Sequence, residues 1–278
     1  MSIYSFFRIS KPSAQQVAPE KVDSTYKSIR NKTFWGVTVA YSLYYVCRMS
    51  LSVVKQPLID EGVLSAGELG VIGSALLFVY AVGKFMNGFI ADYCNIKRFM
   101  ATGLFISALI NLLLGVLGVF NDFVPLSTAV IFFSFAILWG LNGWMQSMGS
   151  PPGVICLSRW FPKSKRGTFY SIFSSTPYVG EFLSFIITGL IVGAIGWKAG
   201  FIVAAIAGLI GSLVVLWLVS DTPESKGLPS VQELSGETLT KVDKKPTKEL
   251  QKFVLKHPGV WVIALSSAFF ISFRGKYL

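Results

Sequence analysis

The chain has 278 residues, of which 53% are hydrophobic, 14% aromatic and only 14% charged, against roughly 25% charged in soluble globular domains. That composition argues against a water-soluble single-core enzyme. The formal charge of +11, which in a soluble chain would suggest nucleic acid, reads instead as membrane topology, and no nucleic-acid partner is expected.

Residues 1–32 form a polar, basic segment in which Arg8, Lys11, Lys21, Lys27, Arg30 and Lys32 outweigh Glu20 and Asp23, a net of +4. It is too long for the n-region of a signal peptide, so no cleavable targeting sequence is expected. Six apolar runs of bilayer-spanning length follow, at 33–54, 69–91, 99–120, 127–150, 168–195 and 198–219. The loop after the first run carries Lys55 against Asp60, Glu61 and Glu68, a net of −2. Lys97 and Arg98 oppose Asp92 after the second run, Asp122 follows the third, and Arg159, Lys163, Lys165 and Arg166 follow the fourth. Because short cytoplasmic loops retain Lys and Arg, this alternation predicts a cytoplasmic N-terminus.

Residues 220–257 are polar and proline-punctuated, and read as a cytoplasmic linker with a short amphipathic helix around Glu249 to Lys256. A seventh run, within 258–278, begins near Gly259 and reaches the last residue after about 15 apolar positions, shorter than a comfortable crossing. The expected fold is therefore an all-α membrane protein, a six-helix bundle over 33–219 plus a truncated seventh span. Cys47, Cys94 and Cys156 have no paired spacing, so no disulfide framework or metal site is indicated, and no cofactor is expected.

Four charges remain inside the apolar runs: Arg48, Lys84, Glu181 and Arg274. A charge at a helix centre costs about 2.5–3.5 kcal/mol on insertion scales, so each needs a wet cavity or a partner. Three of the four are cationic, which favours an anion. Arg can grip a phosphate through its planar fork, and Lys adds a compact point charge. Tyr41, Tyr45 and Arg48 share one helix face by their i, i+4, i+7 spacing. The competing readings are snorkelling of Arg48 and Lys84 to an interface, pairing of Glu181 with a cation, anchoring by Arg274 and an interfacial tyrosine belt. In the fourth run Gly140, Gly143 and Gly149 read as helix-packing positions, while Gln146 fits either interhelical bonding or ligand contact.

Five motifs occur in order: Tyr41-Ser-Leu-Tyr-Tyr-Val-Cys-Arg48, Gly83-Lys-Phe-Met-Asn-Gly-Phe-Ile-Ala-Asp92, Asn142-Gly-Trp-Met-Gln-Ser-Met-Gly-Ser-Pro-Pro152, Arg159-Trp-Phe-Pro-Lys-Ser-Lys-Arg-Gly167 and Asp221-Thr-Pro-Glu-Ser-Lys-Gly-Leu-Pro229. Together the chain resembles the organophosphate:phosphate antiporters of the major facilitator superfamily, above all the hexose-phosphate transporters and their sugar-phosphate sensor relatives, over its N-terminal half. The resemblance implies sugar-phosphate uptake in exchange for inorganic phosphate, by alternating access of two six-helix bundles in a bacterial inner membrane. It implies that Arg48 binds phosphate, with Arg274 near the place of a second arginine, and that Lys84, Tyr41, Tyr45 and Gln146 line the cavity. Asp92, Lys97 and Arg98 resemble a gating loop motif. Where the family carries a histidine in its fifth span, this chain has Pro177, and no role transfers to the nearby Glu181. The C-terminal bundle is expected to be missing. The other functions to weigh are a glucose 6-phosphate sensor acting on a histidine kinase and a non-functional truncated fragment.

Overall fold

In the computed structural model, which describes residues 3–236 and 247–274, the described residues are overwhelmingly helical and include no strand. Among the described residues six helices are long and apolar enough to cross a membrane. They are α1, Val22–Asp60; α2, Ala66–Asp92; α3, Ile96–Phe123; α4, Thr128–Trp160; α5, Lys163–Ile195; and α6, Trp197–Leu218. Each matches one of the six apolar runs, two of which extend one residue past the helix. In hydrocarbon every backbone N–H and C=O must be satisfied within the segment, which leaves the helix as the open-chain solution.

The helix starts are written in local chemistry. Ser65 and Glu68 close a reciprocal capping box on α2, Asn95 accepts from the Arg98 N–H at the start of α3, and Ser127 accepts from the Val130 N–H at the start of α4. Gly196, at φ +98°, makes the reversal between α5 and α6. Two spans are irregular. Helix α4 breaks at Ser147–Gly149 ahead of Pro151 and Pro152, and α5 widens into one π-helical turn at Ser184–Thr188.

Helix α6 packs along both α3 and α1, α2 lies along α4, and the middle of α5 lies along α1. The apolar core divides into two principal clusters. One runs from Tyr26 and Phe34 through Tyr44 and Cys47 to Trp160 and Leu228; the other runs from Leu51 and Leu58 to Trp139 and Phe201. Between them on α1, α3 and α4 lies a buried polar belt of Ser50, Ser107, Asn111, Asn142 and Gln146. It is level with Arg48 along α1.

The described residues divide into two units, Met1–Ser235 and Gly236–Leu278. The segment 220–235 belongs to the first: Asp221, Leu228 and Val231 are all buried. The second unit contains α7, Thr247–Lys256, where the short amphipathic helix was expected, and α8, Pro258–Arg274, over the seventh run.

Candidate functional site

Helices α1 and α2 bring two unneutralised cations to one aromatic ring. The Arg48 guanidinium lies 4.1 Å from the centroid of the Tyr80 ring and 5.5 Å from that of Tyr45. The Lys84 ammonium donates to the Tyr80 hydroxyl at 3.2 Å and lies 5.3 Å from the same ring centroid. Cation–π attraction holds such a charge by about 0.5–2 kcal/mol without neutralising it. Among the described residues neither Arg48, Lys84 nor Glu181 enters an ion pair. The pairing of Glu181 with one of these cations, weighed from sequence, is therefore not made.

The shared helix face of Tyr41, Tyr45 and Arg48 is real. The Tyr41 and Tyr45 rings meet edge to face at 5.5 Å, and Tyr41 stacks on Phe173 of α5 at 5.0 Å. Tyr41 is buried and Tyr45 half-buried, so these rings back the guanidinium. Tyr80 is the residue that sequence reasoning missed. Its signal was present, since Tyr80 and Lys84 stand at i, i+4 on one helix and therefore on one face.

Close helix contacts fix this geometry. A Cβ on Gly143 would strike the Leu76 carbonyl of α2, and one on Gly83 would lie 2.6 Å from Ser147 Oγ. Asn87 donates to Ser147 Oγ at 2.6 Å, which ties α2 to the broken turn of α4 one helical turn from Lys84. On the other side, a Cβ on Gly180 of α5 would strike the Ser42 carbonyl of α1. Small residues at these points let the backbones approach, as membrane helix pairs require. Gly143 and Gly149 thus act as packing positions, Gly149 against the Tyr41 ring, whereas Gly140 makes only ordinary contact with Val79.

Gln146 takes the interhelical role of the two open to it. It is 4% exposed and donates to Ser107 Oγ at 2.8 Å, while Ser107 donates to Asn142 Oδ1 at 2.6 Å. Asn111 continues the belt, accepting from Ser50 at 2.6 Å and donating to the Cys47 carbonyl at 3.2 Å. The belt joins α1, α3 and α4 behind the Arg48 turn.

The face that carries the N-terminal segment is held by a different charge. Asp221, 3% exposed, pairs with Arg159 at 2.6 Å, and its carboxylate also accepts from the Ile96 and Ser10 N–H groups at 3.0 and 2.8 Å. Arg159 further donates to the carbonyls of Cys94 and Asp92. Of the gating residues expected from sequence, Asp92 contributes this carbonyl, Arg98 donates to the Phe6 carbonyl at 2.8 Å, and Lys97 is half-buried. Among the described residues Arg159–Asp221 and the exposed Lys27–Asp23 are ion pairs of this face, and Asp92, Lys97 and Arg98 enter none. Arg274 ends α8 in the second unit, and its side chain lies outside the described residues.

Six spans, short connections and a cationic face shared by α1 and α2 are joined by a match to the Major Facilitator Superfamily over residues 37–276. The chain belongs to the major facilitator superfamily. It is a multi-pass membrane protein. A probable hexose phosphate transport protein of Chlamydia pneumoniae is 32% identical across 95% of this chain and 59% of its own length. The glycerol-3-phosphate transporter of Bacillus subtilis (strain 168) is 33% identical across 93% and 58%. The membrane sensor protein UhpC of Escherichia coli (strain K12) is 28% identical across 88% and 54%. The chain thus spans little more than half the length of these relatives, and the resemblance read from the five motifs is borne out over an N-terminal half. A bacterial homolog of the human lysosomal transporter Spinster shares the fold, with a TM-score of 0.61 at 20% identity over 87% of this chain and 52% of its own.

Proposed function

We propose that this chain is the N-terminal bundle, 33–219, of an organophosphate transporter that exchanges a sugar phosphate, a hexose 6-phosphate first, for inorganic phosphate. The observation that carries the reading is the meeting of Arg48 and Lys84 at Tyr80, with no ion pair to either cation among the described residues. A carboxylate there would have consumed the cations. Aromatic faces instead hold them in place with their charge available.

In this reading Arg48 grips the phosphate through its fork, and Lys84 adds field and a donor that Tyr80 aims. Tyr41 and Tyr45 brace the guanidinium, and Gln146 stiffens the α1–α3–α4 packing behind it. On the resemblance alone, Arg274 is the candidate for the second arginine. Asp92, Lys97 and Arg98, beside the Arg159–Asp221 pair, form the moving contact of alternating access, with the N-terminus and the linker 220–257 on the cytoplasmic side of a bacterial inner membrane. Exchange needs no nucleophile, only a site that releases one phosphate species for another.

The test is counterflow of labelled phosphate in proteoliposomes of the protein expressed from its complete gene. Uptake driven by internal glucose 6-phosphate and lost in Arg48→Ala supports the assignment; normal exchange in Arg48→Ala removes Arg48 from it. The similarity to UhpC favours one alternative, a sensor of external sugar phosphate with a histidine kinase partner. Binding of sugar phosphate without counterflow would select it.

A further inference from the structure

A second concentration of positive charge lies on the N-terminal face, in a cavity of about 350 Å³. Its size falls at the lower end of the roughly 300–1,000 Å³ of small-molecule pockets. Three separate stretches of chain bring basic side chains to its wall: Lys11 from the N-terminal arm, Lys97 and Arg98 from the start of α3, and Lys226 from the turn after α6. The one carboxylate in the wall, Asp221, is spent on Arg159 and two backbone N–H groups. None of the four basic residues forms an ion pair among the described residues, and Glu224, on the same turn as Lys226, forms none either.

The three stretches that carry these cations are tied to one another. Ser10 accepts from the Asn95 amide at 2.8 Å, the Ser13 N–H donates to the Glu224 carbonyl at 2.8 Å, and the Val17 N–H donates to the Gly227 carbonyl at 2.9 Å. Gly227 is at φ +72° with its Cα against the Gln15 carbonyl, where no side chain fits. The rule that keeps Lys and Arg on one side of a membrane calls for positive charge on this face. It does not call for four cations around one cavity with their only carboxylate already committed.

We propose that this cavity binds a phosphate-bearing anion, at a site that shares no residue with the Arg48–Tyr80–Lys84 cluster. Two sources offer that chemistry, the headgroup of an anionic phospholipid and free inorganic phosphate. Convergent Lys and Arg suit both, because several charge-assisted hydrogen bonds can reach one phosphate group.

Lysine acylation footprinting of the purified chain, read peptide by peptide by mass spectrometry, tests the proposal at matched ionic strength. Three samples are compared: phosphatidylcholine vesicles, the same vesicles with added phosphatidylglycerol, and phosphatidylcholine vesicles in inorganic phosphate. Slowed acylation of Lys97 and Lys226, with Lys27 unchanged, is the expected result. Slowing with phosphatidylglycerol identifies a lipid headgroup, and slowing with phosphate identifies the free anion. Lys226 is exposed and its side chain has no hydrogen bond among the described residues, so Lys226→Gln leaves the fold in place; it should weaken ligand affinity, followed at Lys97, about fivefold. Arg98→Gln should do the same. Equal acylation in all three samples, slowing that is just as great at Lys27, or undiminished affinity in both variants would overturn the site.

Discussion

Arg48 and Arg159 are two arginines of one bundle in opposite circumstances. Arg159 meets a buried carboxylate at 2.6 Å and donates to the carbonyls of Asp92 and Cys94, so its hydrogen-bonding capacity is largely committed. Arg48 meets the rings of Tyr80 and Tyr45 and no carboxylate among the described residues. The difference separates a clamp from a recognition group. A paired arginine holds protein to protein, whereas one held only by aromatic faces keeps its donors for a ligand.

The largest expected effect tests the clamp. Asp221→Ala leaves the half-buried Arg159 without its partner and the Ile96 and Ser10 N–H groups without their acceptor, and should cost about 3 kcal/mol of stability. Thermal unfolding in detergent measures it. A local readout is also at hand: Cys94 is buried, its carbonyl accepts from Arg159, and burial pushes its thiol above the ordinary range. Maleimide labelling of Cys94 in the parent should therefore be slow at neutral pH and accelerate as pH rises, because a raised pKa leaves little thiolate near neutrality. Asp221→Ala should accelerate it at every pH. An unchanged melting temperature together with unchanged labelling would make the pair dispensable.

Arg48→Lys sharpens the other side of the comparison. It keeps the charge and discards the planar fork, so phosphate affinity should fall about tenfold with little change in melting temperature. Equal affinity would mean that Arg48 acts only as a point charge. A large loss of stability would place Arg48 with the clamp. The smallest effect belongs to Tyr80→Phe, which keeps the ring under Arg48 and removes the hydroxyl that accepts from Lys84. The loss of one such bond should weaken phosphate binding about threefold. A loss as large as that of Arg48→Ala would make the Tyr80 hydroxyl a ligand in its own right.

Much of this was legible along the chain. The six spans follow from apolar runs of bilayer length, and Arg48 and Lys84 stood out because charge within such runs is costly. The i, i+4, i+7 face of Tyr41, Tyr45 and Arg48 followed from helix geometry alone. Other features depended on contacts between distant residues. Asp221 and Arg159 are 62 positions apart, and each sits in a motif whose neighbours look equally polar. Gln146 gave no sign of its choice between ligand and neighbour until Ser107 was found 39 positions away. The segment 220–235 reads as linker because it is polar, yet its few apolar residues, Leu228 and Val231, are enough to dock it on the bundle.

By itself the sequence determined where six runs of bilayer-spanning length lie and which cations stand inside the apolar runs, because both follow from local composition and helix period. Only the tertiary structure decided which of those cations stay unneutralised. That depends on which helix faces meet, and the meeting is set by close approach at Gly143 and Gly180 and by single hydrogen bonds across the bundle. Sequence can show that an arginine is costly; packing decides whether a carboxylate or an aromatic ring stands opposite it.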